Sequence, residues 1–119
     1  MRPAEYNITH YQGDTLILPL RIRNVNADGT LGEYEDLTGW VGKAQMRNAA
    51  DVIVQEFTVT VDADQVDNKG LLEVTATHTQ TAVWTSINGL VWDLQLTNAG
   101  GQVRTIIAGT VTVLAEVTR

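Results

Sequence analysis

Cysteine is absent from this chain, and serine is nearly absent. With no cysteine in 119 residues, neither a disulfide scaffold nor a cysteine-based zinc site can form. Ser86 is the only serine and no Gly-x-Ser-x-Gly turn surrounds it, so hydrolase chemistry with a serine nucleophile is not expected. His10 and His78 lie far apart in the sequence, and His78 has no ligand-spaced partner. We therefore predict no catalytic residues, no metal site, no cofactor and no enzymatic activity.

Basic residues and long apolar runs are also scarce. The chain has eight Lys and Arg residues and fourteen Asp and Glu residues, which gives a formal net charge of -6. This negative charge disfavours binding to nucleic acid. Arg21, Arg23, Lys43 and Arg47 are the nearest approach to a basic group, and we expect them on a solvated strand face, with a functional basic patch as the alternative. No run approaches the roughly 20 apolar residues that cross a bilayer, and the N-terminus lacks the apolar core of a signal peptide. We expect no membrane partner and a protein made in a cytoplasm.

One acidic stretch has the oxygen ligands that calcium prefers. Asp62, Asp64 and Asp67 supply the carboxylates. However, Val66 stands at the third ligand position of an EF-hand pattern, and Lys69 opposes a cation. We predict a solvated loop between strands, with weak calcium binding as the alternative.

Most of the chain alternates apolar and polar residues with a period of two, which is typical of β-strands. The pattern predicts about seven strands, at most one short helical turn, and an antiparallel, immunoglobulin-like β-sandwich. Residues 1–12 are interpreted as an N-terminal arm or first strand, and residues 13–119 as the sandwich domain. The predicted runs are Tyr6–His10, Thr15–Arg23, Trp40–Arg47, Ile53–Val61, Leu71–Thr77, Leu90–Thr97 and Val103–Val117.

Several positions carry more specific expectations. Pro19 has no backbone N–H to donate, so its strand is predicted to lie at an edge or to contain a bulge. Gly109 interrupts the last run and indicates a bulge or a strand that bends between two sheets. Alternation places Ile53 in the core. The segment 77–87 is the one helix-compatible piece, with Thr79 as its predicted cap.

The aromatic residues supply the candidate interface. Trp40 and Trp92 are in phase with the apolar faces of their strands and are predicted to be in the core. Trp84 lies in the irregular segment and is either a lid on the end of the sandwich or an exposed anchor for a partner. Tyr34, in a long polar loop, and Tyr11 are the other candidates, since exposed aromatic residues dominate interface energies.

Three segments carry a resemblance to known proteins. Asp36-Leu37-Thr38-Gly39, Trp92-Asp93-Leu94 and Gly109–Val113 occur in an order that resembles small phage and prophage virion structural proteins. The chain from about Tyr6 to Arg119 is similar to the N-terminal β-sandwich domain of upper baseplate proteins in tailed phages. All three segments are turn or core elements, so the resemblance carries over no functional residues.

This resemblance implies a virion protein that is made in the host cytoplasm and acts through contacts with other virion proteins. We expect an adaptor of the tail, baseplate or fibre attachment, present as a symmetric homo-oligomer, with residues 1–11 extending onto a neighbour. The chain stops after one domain, unlike the baseplate proteins, which favours a small accessory of a larger assembly. The alternatives are a capsid decoration protein and a carbohydrate-binding or adhesion module, which would need Trp84, Tyr34 and Tyr11 on one surface.

Overall fold

The computed structural model describes residues 4–25, 27–84 and 89–115, which form ten strands and one short helix. The helix has four residues, and no helix in these ranges is long and apolar enough to cross a membrane. The strands are β1 (Ala4–Glu5), β2 (Ile8–Tyr11), β3 (Leu16–Arg21), β4 (Arg23–Val25), β5 (Leu31–Tyr34), β6 (Val41–Arg47), β7 (Ile53–Val61), β8 (Leu71–Ala76), β9 (Leu90–Thr97) and β10 (Val103–Leu114), and the helix is α1 (His78–Thr81).

Eight strands join in one sheet that curls into a half-barrel. Its order is β1-β10-β9-β6-β7-β8-β3, with β2 also paired to β10, while β4 and β5 form a separate hairpin. The all-β prediction is confirmed. The prediction of a purely antiparallel arrangement is wrong at one edge, because β1 and β2 both run parallel to β10. Two facing sheets, as in an immunoglobulin-like sandwich, are not confirmed.

The concave face of the sheet carries the core. Alternation in β8 and β9 has the predicted phase, because side chains two residues apart point to the same face. The outward positions of β9 are partly or fully exposed, so only one face of the strand is apolar. The buried residues of these two strands are Leu72, Val74, Ala76, Leu90, Trp92, Leu94 and Leu96, each at most 3% exposed.

A bulge in β7 reverses the expected position of Ile53. Arg47 pairs with Ile53, but the preceding residue Met46 pairs with Gln55, so Val54 is an extra residue in the ladder. An extra residue shifts the alternation by one. The prediction that Ile53 lies in the core is therefore wrong: its side chain is 45% exposed.

Strand β3 lies at the end of the sheet order, as Pro19 predicts. The Ile22 N–H, just past the strand, donates to the Gly70 carbonyl on the side of β8. Because backbone groups alternate between the two edges of a strand, the position of Pro19 falls on the open side. The edge-strand prediction is confirmed, and proline at this edge removes one donor that a neighbouring strand could use.

The N-terminal segment lies along its own chain instead of extending away. Ile8 pairs with Val111, and the Tyr6 N–H donates to the Ala108 carbonyl at 3.1 Å. The expectation that residues 1–11 extend onto a neighbour is wrong for residues 4–11, since β10 offers them a free edge; residues 1–3 lie outside the described residues.

Gly109 lies against the backbone of this N-terminal segment. A Cβ atom at Gly109 would lie 2.0 Å from the Tyr6 carbonyl oxygen, so only glycine fits. That carbonyl accepts a hydrogen bond of 2.8 Å from the Trp92 indole Nε1. The predicted bulge in β10 is present, but it lies between Thr105 and Ile107.

The short helix begins two residues earlier than predicted. Thr77 caps it, because the Thr77 hydroxyl accepts from the Gln80 N–H while the Gln80 side chain accepts from the Thr77 N–H. Thr79 is the second helical residue, where a cap cannot form. Thr81 lies in the core, and its hydroxyl donates to the Asp14 carbonyl at 2.7 Å, which ties α1 to the turn before β3.

The loop between β9 and β10 depends on one asparagine and one glycine. Asn98 Oδ1 accepts hydrogen bonds from the backbone N–H groups of Gly100 and Gln102. Gly101 has a φ of 86°, in the left-handed region that favours glycine. Asn48 starts a second loop with the same bonding pattern before β7. Each asparagine replaces the missing backbone partners of a tight turn.

Replacing Gly101 with alanine tests the backbone requirement of this loop. No atom lies within 4 Å of the added Cβ, so the cost comes from the left-handed φ alone, and we expect Gly101→Ala to lower the free energy of unfolding by about 1 kcal/mol. Urea denaturation measures the change. Gly100→Ala is the control, because Gly100 is outside the left-handed region; an equal loss in both variants would contradict the prediction.

Replacing Trp92 with phenylalanine tests how the N-terminal segment is held. Trp92→Phe leaves the Tyr6 carbonyl without its indole donor. We expect the free energy of local opening of residues 4–11 to fall by about 1–2 kcal/mol. Hydrogen exchange read by mass spectrometry on residues 4–12 measures this opening. Trp84→Phe is the control, since the Trp84 indole donates to Gln55 instead. Equal acceleration by both variants would mean general destabilisation.

Candidate functional site

Tyr34 is covered by two arginine side chains. The guanidinium carbon of Arg21 lies 3.8 Å from the centroid of the Tyr34 ring, and that of Arg23 lies 5.1 Å away. Arg21 ends β3, Arg23 begins β4 and Tyr34 ends β5, so the turn of the chain into the β4–β5 hairpin brings all three together. A cation over an aromatic face is attracted by the ring quadrupole, by about 0.5–1 kcal/mol at exposed sites.

Backbone carbonyls fix the orientation of both guanidinium groups. Arg21 Nε donates to the Lys69 carbonyl at 2.9 Å. Arg23 Nε and Nη2 both donate to the Gly32 carbonyl, at 3.0 and 2.9 Å. Within the described ranges, the Nη atoms of Arg21 have no hydrogen-bond partner. The arginines are therefore held in place while donor groups of Arg21 still face solvent.

A buried glutamine holds the loop that carries Lys69. Gln65 is 6% exposed, and its Oε1 accepts from the backbone N–H groups of Leu37 and Gly70, at 3.0 and 2.9 Å. Its Nε2 donates to the Asp62 carbonyl at 2.7 Å. This side chain therefore joins two loops in place of a regular strand ladder.

The carboxylates of the acidic stretch accept hydrogen bonds from backbone N–H groups of the same stretch and so stabilise its turns. Asp62 Oδ1 accepts from the Asp64 N–H, and Asp64 Oδ1 accepts from the N–H groups of Val66 and Asp67. Asp and Asn side chains commonly form such turns. No group of three or more His, Asp or Glu side chains is placed to hold a metal ion in the described part of the chain.

These elements form an open groove with a volume of about 430 Å³, which we call the arginine–tyrosine groove. Val66, on its wall, is 89% exposed, and Tyr34 is 38% exposed. The groove therefore combines positive charge with apolar surface. Its lining residues are Arg21, Arg23, Gly32, Glu33, Tyr34, Val66 and Lys69.

The positive charges of the groove are not neutralised by ion pairs. Among the described residues, no salt bridge involves Arg21, Arg23 or Lys69. Glu33 lines the groove, so one negative charge lies among the three positive ones. Three of the eight basic side chains of a protein with a net charge of -6 are thus gathered at one place.

Asp36 lies close enough to this cluster for the charge of Lys69 to affect its pKa. Hydrogen bonds from the Thr38 hydroxyl, at 2.6 Å, and from the Thr38 N–H lower the pKa of Asp36 below its usual value. The charge of Lys69 adds a smaller lowering. Asp36 therefore stays ionised beside the groove at neutral pH.

The three aromatic candidates have separate positions. Trp84 is fully buried, packs edge-on against Phe57 and His10, and donates from Nε1 to Gln55 at 3.1 Å. This matches the lid interpretation and contradicts its use as an exposed anchor, because no indole surface is left for a partner. Tyr34 is 38% exposed and Tyr11 is 51% exposed.

Tyr11 and Tyr34 lie at opposite ends of β3. Tyr11 precedes the turn into the first residue of the strand, and Tyr34 stacks on Arg21, its last residue. The three candidates therefore do not form one surface.

The four basic residues that are nearest in sequence separate into two groups. Lys43 and Arg47 line a different groove on the outer face of β6, β9 and β10, together with Asp93. Arg21 and Arg23 join Lys69, which is distant in sequence. The expectation of a solvated strand face fits Lys43 and Arg47. It does not fit Arg21 and Arg23, which belong to the cluster around Tyr34. The sequence had singled out Tyr34, Arg21 and Arg23 separately, but nothing in it indicated that they meet or that Lys69 joins them.

The buried Gln65 offers a test of how the site is held. Gln65→Leu leaves the N–H groups of Leu37 and Gly70 without their acceptor, and we expect a loss of roughly 2–4 kcal/mol in the free energy of unfolding. Urea denaturation measures it. Gln95→Leu, at a half-buried position on the outer face of β9, is the control and should change stability by less than about 0.5 kcal/mol. Similar losses would show that Gln65 has no special role.

The sequence matches no protein-family model and no curated protein at a significant level.

Proposed function

We propose that the protein is a non-enzymatic virion structural protein of a phage, an adaptor of the tail, baseplate or fibre attachment that acts through protein–protein contacts. The observation that carries the binding role is the arginine–tyrosine groove: two arginines held on a tyrosine ring beside exposed apolar side chains. The phage context comes from the resemblance of the sequence segments, and the two-sheet sandwich of that family is part of the same proposal.

The composition of the groove suits the binding of a protein. Tyrosine and arginine are enriched among the residues that dominate interface energies, and the rim around such residues is polar. Arg21 and Arg23 are already oriented by backbone carbonyls, so their side chains would lose less conformational entropy when a partner binds. The groove thus offers oriented donors and apolar contact.

Symmetric copies form part of the proposal. Virion adaptors surround an axis, and a repeated weak contact then gains strength from multivalency.

The glycan-binding alternative loses its main support. It needed Trp84, Tyr34 and Tyr11 on one surface, but Trp84 is buried and the two tyrosines lie at opposite ends of β3. Capsid decoration uses the same kind of protein contact, and only the place of the protein in the particle separates it from a tail adaptor.

Peptide mass spectrometry on purified phage particles, with heads separated from tails, tests the proposed function. We expect peptides of this chain at stoichiometric levels in the tail fraction. Stoichiometric levels in the head fraction would favour capsid decoration. Absence from both fractions would overturn the virion proposal and leave a binding module of other context.

A further inference from the structure

The lining of the arginine–tyrosine groove carries three positive charges and one negative charge, that of Glu33. Arg21, Arg23 and Lys69 have no salt bridge among the described residues, and Asp36 beside the groove adds a second negative charge near Lys69. The chain as a whole carries -6. A local positive groove on an acidic protein favours a negatively charged group that is small enough to avoid the rest of the surface.

The donors of the groove suit a carboxylate. Arg21 uses Nε for the Lys69 carbonyl, and among the described residues its Nη atoms have no hydrogen-bond partner. A guanidinium pairs with a carboxylate through two parallel hydrogen bonds, which are stronger than neutral ones. Arg23 and Lys69 add further positive charge next to it.

The walls of the groove also carry exposed apolar surface, which favours a partner with apolar side chains. Val66 is 89% exposed on the wall, and Tyr34 leaves 38% of its surface accessible between the arginines. An apolar side chain of a partner would bury these surfaces, and removing apolar area from water stabilises the contact. A polyanion such as nucleic acid offers no such side chain at its backbone and would extend over acidic surface.

We propose, resting on the proposed function, that this groove binds a short acidic segment of a partner protein in which apolar side chains alternate with carboxylates. The carboxylates pair with Arg21 and Arg23, and an apolar side chain packs against Tyr34 and Val66. The volume of about 430 Å³ fits a few side chains of an extended segment.

Binding of a short fluorescent peptide, in which glutamate alternates with leucine, tests this proposal on the full chain at low salt. Fluorescence anisotropy gives the Kd. We expect R21Q/R23Q to weaken binding by about tenfold or more. The control pair, K43Q/R47Q, removes the same charge from the other groove and should change the Kd by less than about twofold. Equal losses in both pairs would overturn the proposal, because they would show non-specific attraction.

A second pair of variants leaves the arginines and their backbone bonds intact. Val66→Asp adds a negative charge to the wall of the groove, and we expect it to weaken binding of the same peptide by about fivefold. Val83→Asp adds that charge at another exposed loop position, 72% exposed, and should have little effect. Urea denaturation confirms that all variants fold. No loss with Val66→Asp would overturn the proposed location.

Changes in the peptide identify the chemistry of the occupant. Replacing glutamate with glutamine should abolish binding, and replacing leucine with serine should weaken it. A single-stranded oligonucleotide that binds more tightly than the peptide would overturn the proposal in favour of nucleic acid. Self-association that R21Q/R23Q abolishes would overturn it in favour of a second copy of this chain.

Failure of this inference is distinguishable from failure of the proposed function. If the chain is present in particles but the peptide does not bind, the acidic partner is wrong and the virion role stands. If the peptide binds but the chain is absent from particles, the groove chemistry is right and the virion role fails.

Discussion

The burial of one face of β9 is the constraint on which the rest of the structure depends. Leu90, Trp92, Leu94 and Leu96 are each nearly or fully buried, while the opposite side of the strand meets solvent. A sheet with one apolar face must close around that face to remove it from water. The curl of the sheet therefore places every neighbouring strand with its apolar side inward, and the polar groove of Lys43 and Arg47 lies on the outer side.

Two polar side chains provide hydrogen bonds to buried backbone groups, which the apolar face cannot provide. The Trp92 indole reaches the backbone carbonyl of Tyr6 across Gly109, and this bond joins the N-terminal segment to the core. Gln65 satisfies two backbone N–H groups where two loops meet without a ladder. A buried donor or acceptor left unpaired costs about 1–3 kcal/mol, so these side chains determine where irregular backbone can be buried.

The arginine–tyrosine groove follows from the same architecture. β3 is an edge strand, and the chain leaves it through the β4–β5 hairpin, which folds Tyr34 back onto Arg21. The loop before β8 then supplies Lys69. An edge strand followed by a hairpin leaves side chains on the surface with few neighbours, and this is where a protein can gather charge at little cost to its core.

The sequence by itself determined the all-β class, the apolar faces of β8 and β9 and the edge position of β3, because these depend on alternation and on the missing N–H of Pro19. It failed at Ile53, where a bulge shifts the alternation, and at residues 4–11, where parallel pairing with β10 has no local signature. Tertiary structure alone decided that Trp84 is buried and that Arg21, Arg23 and Lys69 meet around Tyr34. The physical reason is distance along the chain: period and turn residues act over a few positions, whereas Lys69 reaches Arg21 across 48 residues and only after the sheet has closed.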